Sequence, residues 1–427
     1  MWDAILVERL VLTAFLFTAT AFAGPTFNKD VLPIIQQRCQ ECHRPGQIAP
    51  MPFLTYRQTR PWAKSIREAL VTRKMPPWFA DPRFGHFAND RSLLQSEIEA
   101  IAAWVEAGAP EGDPKDRPPD REWPQGWQIG TPDTVFEMPK PFDVARSGAI
   151  EYQYIILPTG FTEDKWVQRV EVRPAARDAV HHAVVYIREP GSEWLRGRPN
   201  GATFSLQSAP DRRPNPQSFT KSDILLVYTP GNSHDSWPEG MAKKIPAGSD
   251  IVLQMHYTAD GKPKTDRTRI GLVFARQKPA KAVYTLQMSN DRFVIPPGDR
   301  DYKSEVSGTL PNDALLLSLF PHMHLRGKGF EYMMASPGGP IEMLLKVNNY
   351  DFNWQLNYRL APARPLRAGT RLVFNGYFDN SRNNPRNPDP TAEVRFGEQS
   401  WEEMMIGFFD VAVDSRLSKA DFFVRQQ

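Results

Sequence analysis

The two cysteines of this 427-residue chain stand three apart in Cys39-Gln40-Glu41-Cys42-His43, and no other cysteine occurs. Cysteines at that spacing on a helical turn lie on one side, where each can bond a vinyl group. The histidine that follows directs its imidazole at the iron. The pattern is that of covalent attachment of a c-type haem, and one haem c is expected here. A disulfide or half a zinc site is the bland alternative. Zinc needs two further cysteine or histidine ligands nearby, and only His86 is at hand. The sixth ligand should be a methionine or histidine downstream. Met75, in Lys74-Met75-Pro76-Pro77-Trp78, is the choice, since the prolines would stiffen its loop; Met51 and His86 are its rivals.

Eight histidines occur in all. His322 and His324 stand two apart, so in an extended strand they share a face and can chelate one ion. His181 and His182 are adjacent, and in a regular strand they would point oppositely. Both reach one ion only if their strand begins at a bulge or loop. His256 sits mid-strand in Leu253-Gln254-Met255-His256-Tyr257. Gln254 shares its face, either near that ion or as a strand hydrogen-bonding residue. His234 lies in a Pro/Gly loop and reads as a surface residue.

Elements must position these groups. Residues 1–23 read as an export signal, with an apolar run from Leu10 to Phe22 and a small-x-small site at Ala21-Phe22-Ala23. A periplasmic or secreted protein follows, without stable membrane insertion after cleavage. Residues 24–110 carry helical periodicity, clearest in "SEIEAIAAWVEAG", where Ser96 and Glu99 suggest a capping box and Gly108 a stop. Residues 111–130 are charged and proline-rich, and read as a linker. Beyond them lie short runs rich in Val, Ile, Leu, Phe and Tyr, such as "EYQYIILP", "DIVLQMHYTA" and "RLVFNGYF", parted by turn residues. This is the pattern of β-sandwich or jelly-roll domains. The expected fold is therefore multidomain: a small all-α cytochrome c domain over residues 24–110, then two all-β jelly-roll sandwich domains over 131–285 and 286–427. The 40 prolines, about 9 % of the chain, suit many strand ends and loops. A net charge of +3 without a long basic run argues against a nucleic-acid partner.

The order His181-His182, His256, His322-x-His324, then Glu402-Glu403-Met404-Met405 resembles the copper type II, ascorbate-dependent monooxygenases, which include peptidylglycine α-hydroxylating and dopamine β-monooxygenase. The resemblance spans roughly residues 131–415. It implies two jelly-roll sandwiches, each holding one copper across an open cleft. His181, His182 and His256 would bind the electron-storing copper. His322, His324 and a methionine, Met404 rather than Met405, would bind the oxygen-activating copper and form the catalytic site. A thioether favours Cu(I), the state that meets oxygen. The residues that grip a substrate carboxylate in peptide-hydroxylating members correspond here to Phe320, Ile406 and Phe408, all apolar. A non-carboxylate small molecule is therefore the expected substrate.

The resulting expectation is an exported haem–copper monooxygenase that hydroxylates a C–H bond. Its partners would be molecular oxygen, a small-molecule substrate, and a redox donor protein or small reductant. The competing reading is a non-catalytic electron-transfer or copper-binding protein, which would use the same ligand types.

Overall fold

The computed structural model describes residues 24–206, 223–418 and 425–426. The expected signal and its cleavage site, residues 1–23, lie outside the described residues. No helix among the described residues is long and apolar enough to cross a membrane.

Strand makes up 38 % of the chain and helix 11 %, and this corrects the expectation of an all-α cytochrome c domain followed by two all-β jelly-roll domains. The protein has a predominantly antiparallel β fold, and the described residues form no sizeable all-α domain. The N-terminal helices are short: Leu32–Arg38, Tyr56–Thr59, Ala63–Val71 and Gln95–Glu106. Their apolar stripes meet in a small cluster that includes Phe27, Leu32, Leu70, Ile101 and Trp104. The helix Gln95–Glu106 is capped differently from the sequence expectation. The Glu97 carboxylate accepts the Leu94 backbone N–H at 2.7 Å, and Ser96 lies inside the helix.

The rest of this segment is spent on contact with the sheets. Residues 78–91 touch the edges of two sheets, with Ala80 bridging Val347 at the edge of a five-stranded sheet and Phe87 bridging Leu360 at the edge of a nine-stranded one. Asn89 donates to the Asn357 carbonyl and accepts from the Arg359 backbone N–H. Trp78, Phe87 and Tyr358 pack their rings together, with centroids 4.8–5.9 Å apart. The proline-rich stretch is also anchored. Gln36 donates to the Pro119 carbonyl, and the Gln128 backbone N–H donates to Glu171.

A nine-stranded sheet runs under two cores. One core includes Ile155, Val170, Val185, Leu253 and Ile270; the other includes Leu319, Phe330, Tyr332, Phe374 and Phe409. Each is closed by its own five-stranded sheet. The shared sheet crosses from one core to the other where Lys281 and Ala282 pair in parallel with Met241 and Ala242. Thr285, where the sequence suggests a boundary, lies within the strand Lys281–Ser289. Lys243 is buried at the joint. Its Nζ donates to the carbonyls of Ile224 and Leu225 and to Thr285 Oγ1, and lies 3.7 Å from Asp410.

Candidate metal centre

The strands Val180–Arg188 and Asp250–Tyr257 pair antiparallel with His182 opposite His256. The register then shifts, so that Tyr257 faces Val180 and His181 becomes the extra residue of a bulge. A bulged residue is re-aimed out of the alternation, and both adjacent histidines thereby turn toward His256. Ligand nitrogens of His181, His182 and His256 all lie within 4.8 Å of one another. His182 Nε2 and His256 Nδ1 approach to 3.2 Å.

The strand Ala314–His322 pairs with Ile406–Asp414, placing His322 opposite Ile406 and Phe320 opposite Phe408. His322 and His324 have ring centroids 5.3 Å apart. Met404 lines the same cavity as His182 and His322. Met405 is fully buried in the second core instead, where a Cβ on Gly376 would meet its Cγ at 2.8 Å. Close packing there fixes which of the two methionines faces the cavity.

The donor set fits a soft-to-borderline transition ion. His322 Nδ1–H donates to Gln355 Oε1 at 2.7 Å, leaving Nε2 free. His324 Nδ1–H donates to the Glu402 carbonyl at 3.3 Å, and its buried Nε2 has no partner. Both ring nitrogens of His181 are buried without a partner in hydrogen-bonding geometry, although the Phe352 backbone lies beside the ring. Buried polar atoms rarely go unsatisfied, and those that do call for an explanation such as an ion. Burial holds these imidazoles neutral: His181 is pushed down to about 4 and His256 to about 3, while His182 and His324 lie well below the ordinary value. Neutral imidazole is the form that ligates a metal.

Three residues that sequence reasoning missed hold this arrangement. Gln355 orients His322 and donates its amide N–H to the Phe352 carbonyl. Phe352 stacks on His181, with ring centroids 4.6 Å apart. Glu403 accepts the backbone N–H groups of His324, Arg326 and Met404. Its carboxyl is pushed up to about 8 by complete burial, against the opposing pull of those donors. Glu403 carried a signal in sequence, as part of the acidic pair before the methionines. Gln355 and Phe352 carried none.

The two groups of histidines lie close together. The rings of His182 and His322 lie 6.2 Å apart, centroid to centroid. Beside them is a cavity of about 70 Å³ walled by Tyr152, Tyr186, Phe320, Phe396, Ile406 and Phe408. Gln254 and Glu398 are polar groups in that wall. The Gln254 amide donates to the Tyr154 hydroxyl at 2.5 Å.

At the other candidate centre, Cys39 and Cys42 are half-buried and form no disulfide. Burial pushes Cys39 up to about 12 and raises Cys42 as well. His43 donates from Nδ1 to the Met51 carbonyl at 3.1 Å and stacks on Phe53 at 4.3 Å. That bond fixes the tautomer and leaves Nε2 as a ligand, which fits the axial role at a haem iron. Met51 packs with Cys39 on the small helical core. Met75 is half-buried just past the helix Ala63–Val71. His86 is exposed and gives its backbone carbonyl to Ala361 at the sheet edge. His234 is half-buried rather than on the surface. It lines a polar cavity of about 200 Å³ together with Cys42, Arg91, Arg177, Tyr228 and Arg359.

No protein-family model matches this chain, and no curated protein matches it. Among solved structures, infectious bursal disease virus strain Gx is similar at 8 % identity, over 70 % of this chain and 77 % of that one, with a TM-score of 0.18. PBCV-1 VP54, fitted into a reconstruction of the virophage Sputnik, is similar at 8 % identity over 66 % of this chain and 98 % of that one, with a TM-score of 0.22. Likenesses this slight carry no weight for fold or function.

Proposed function

We propose that the chain is an exported copper-dependent monooxygenase that hydroxylates a C–H bond of a small, non-carboxylate molecule, with electrons from a covalent haem c. The observation that carries this reading is the clustering of five buried histidines, with His182, His322 and Met404 lining one largely apolar cavity and with both ring nitrogens of His181 and Nε2 of His324 buried without a partner. The ligand order, which resembles that of the copper type II monooxygenases, supports it.

His181, His182 and His256 would hold one copper. His322, His324 and Met404 would hold the other, and Cys39, Cys42 and His43 would hold the haem, with Met75 as the expected sixth ligand. Copper supplies redox chemistry toward molecular oxygen, and haem c supplies one-electron storage. The chain's own residues do the positioning. Gln355 holds the His322 proton at Nδ1, so that Nε2 faces inward. Glu403 fixes the backbone at His324 and Met404. Phe320, Phe396, Ile406 and Phe408 exclude water from the space where a substrate would sit. An external reductant or redox protein would reload the haem.

The test is metal and haem analysis of the purified protein, followed by turnover under ¹⁸O₂ with a reductant and neutral apolar candidates. One covalent haem, two coppers and label in a hydroxylated product are expected. Copper and haem that cycle electrons without oxygen uptake would instead favour a non-catalytic electron carrier.

A further inference from the structure

The polar cavity of about 200 Å³ beside Cys42 lies outside the histidine cluster, where three parts of the chain meet. Cys42 and Gln47 come from the cysteine motif and its flank, Arg91 from the stretch at the sheet edges, and Arg177, His234 and Arg359 from the strand-rich part. Two of its four arginines are matched by acids: Arg38 lies 3.3 Å from Glu97, and Arg359 lies 2.8 Å from Asp235. Arg91 and Arg177 form no ion pair among the described residues; each spends one N–H on a neutral oxygen, Arg91 on the Gly231 carbonyl at 3.1 Å and Arg177 on Gln47 Oε1 at 2.9 Å. Only a glycine at 231 permits that approach, since a Cβ there would meet Arg91 Nη1 at 2.7 Å and the backbone φ is +83°. Arg91 Nε and His234 Nδ1 are buried with no partner, and such atoms call for an explanation such as an ion. Cations also gather around Arg177. Arg44 and Arg173 are both lowered, by burial first and also by the charge of Arg177 near each.

We infer that this cavity is a binding site for a carboxylate or phosphate group, gripped by Arg91 and Arg177. A guanidinium presents paired N–H donors that match two oxygens of either group, and such charge-assisted bonds are roughly twice as strong as neutral ones. The wall's own carboxylates, Glu41 and Asp90, pair with neither arginine, so the positive charge is left for a ligand. Two sources carry this chemistry. A haem bonded to Cys42 would bring two propionates on the porphyrin edge remote from its thioethers, and that source rests on the haem reading. A free phosphate would come from solvent, and that source does not. In either case the ligand ties the cysteine motif to the strand-rich part, because its two grips come from different parts of the chain.

The test is calorimetric titration of inorganic phosphate into the full-length, haem-loaded protein, with haem potential and resonance Raman spectra taken on the same samples. Wild type is compared with Arg91→Gln and Arg177→Gln. A free-anion site takes one phosphate per chain, weakened at least about tenfold in either variant. A propionate site gives no phosphate heat. Each variant then shifts the propionate bending band, and the haem reduction equilibrium falls about threefold to tenfold, or about 28–59 mV for one electron. Arg91→Lys and Arg177→Lys keep the charge and lose the fork; they repeat the binding and Raman readings should the glutamine variants fail to fold. Phosphate binding that neither variant weakens overturns the site. So does the absence of phosphate heat together with an unmoved propionate band. If the purified protein carries no covalent haem, the haem reading falls while the phosphate titration still decides the cavity.

Discussion

His322 and Gln355, 33 residues apart in sequence, are joined by a 2.7 Å hydrogen bond from imidazole Nδ1 to amide Oε1. Both side chains are buried. Partners of this kind set ligand orientation and basicity, and their loss typically lowers metal affinity about 10–100-fold. Gln355→Leu should therefore weaken the proposed copper site at His322 by that order and affect the His181, His182 and His256 site less. Competitive copper titration of the variant measures it; two unchanged affinities would show that the bond does not orient His322.

Glu403 receives three backbone N–H groups. In Glu403→Gln one carboxylate oxygen becomes an NH₂ that faces donors. Leaving buried donors unpaired costs about 1–3 kcal/mol. Chemical denaturation should show a loss of about 2 kcal/mol, with copper lost first from the His322, His324 and Met404 set.

The histidine cluster predicts an acid-sensitive metal-free protein. Burial lowers His181 to about 4 and His256 to about 3, below the ordinary histidine value near 6.5. From about pH 6.5 down to about pH 4 the unfolded chain binds more protons than the native one, so stability falls as pH falls. Each such histidine contributes up to about 1.4 kcal/mol per pH unit. Urea midpoints of the metal-free protein should drop through this window. A flat profile would mean that these rings are hydrated.

Lys243 reaches across the joint between the two cores to Thr285 and Asp410. Lys243→Met keeps the aliphatic stem but takes the donor from two carbonyls and the charge from beside Asp410, which keeps only the Thr285 hydroxyl. Breaking a buried pair from one side costs about 3–5 kcal/mol. The melting temperature should fall, and the effect should shrink in the double variant Lys243→Met with Asp410→Leu.

Phe320, Phe408 and Ile406 present no cation to a ligand, and Glu398 adds a carboxylate to the same wall. Burial, and then the nearby Glu402 carboxylate, push the Glu398 carboxyl above its ordinary value. An apolar carboxylic acid should bind at least about tenfold more weakly than its neutral amide, a difference of about 1.4 kcal/mol. Competition binding with matched acid and amide pairs measures this.

Much of the centre was legible because its signals are local. The spacing of His322 and His324 implies a shared face, and the adjacency of His181 and His182 demands a bulge, which the strand pairing has. The supporting residues were not legible. Phe352 and Gln355 lie outside regular strands, where no period marks a side chain's direction. The helical reading failed at the level of the domain. Short amphipathic stretches such as Gln95–Glu106 do form helices. Residues 78–91 between them instead bridge to the edges of two sheets, contact partners far away in sequence. Local periodicity identifies an element but not what it packs against.

The continuous ladder beneath both cores has a mechanical consequence. Opening a gap at the histidines would require rupture of the parallel pairing at Lys281 and Ala282 and withdrawal of Lys243 from its four partners. Jaw-like motion is therefore disfavoured. If the proposed function holds, a substrate would have to enter past the aromatic wall of Phe320, Phe396 and Phe408, so that its size, rather than domain closure, would decide admission.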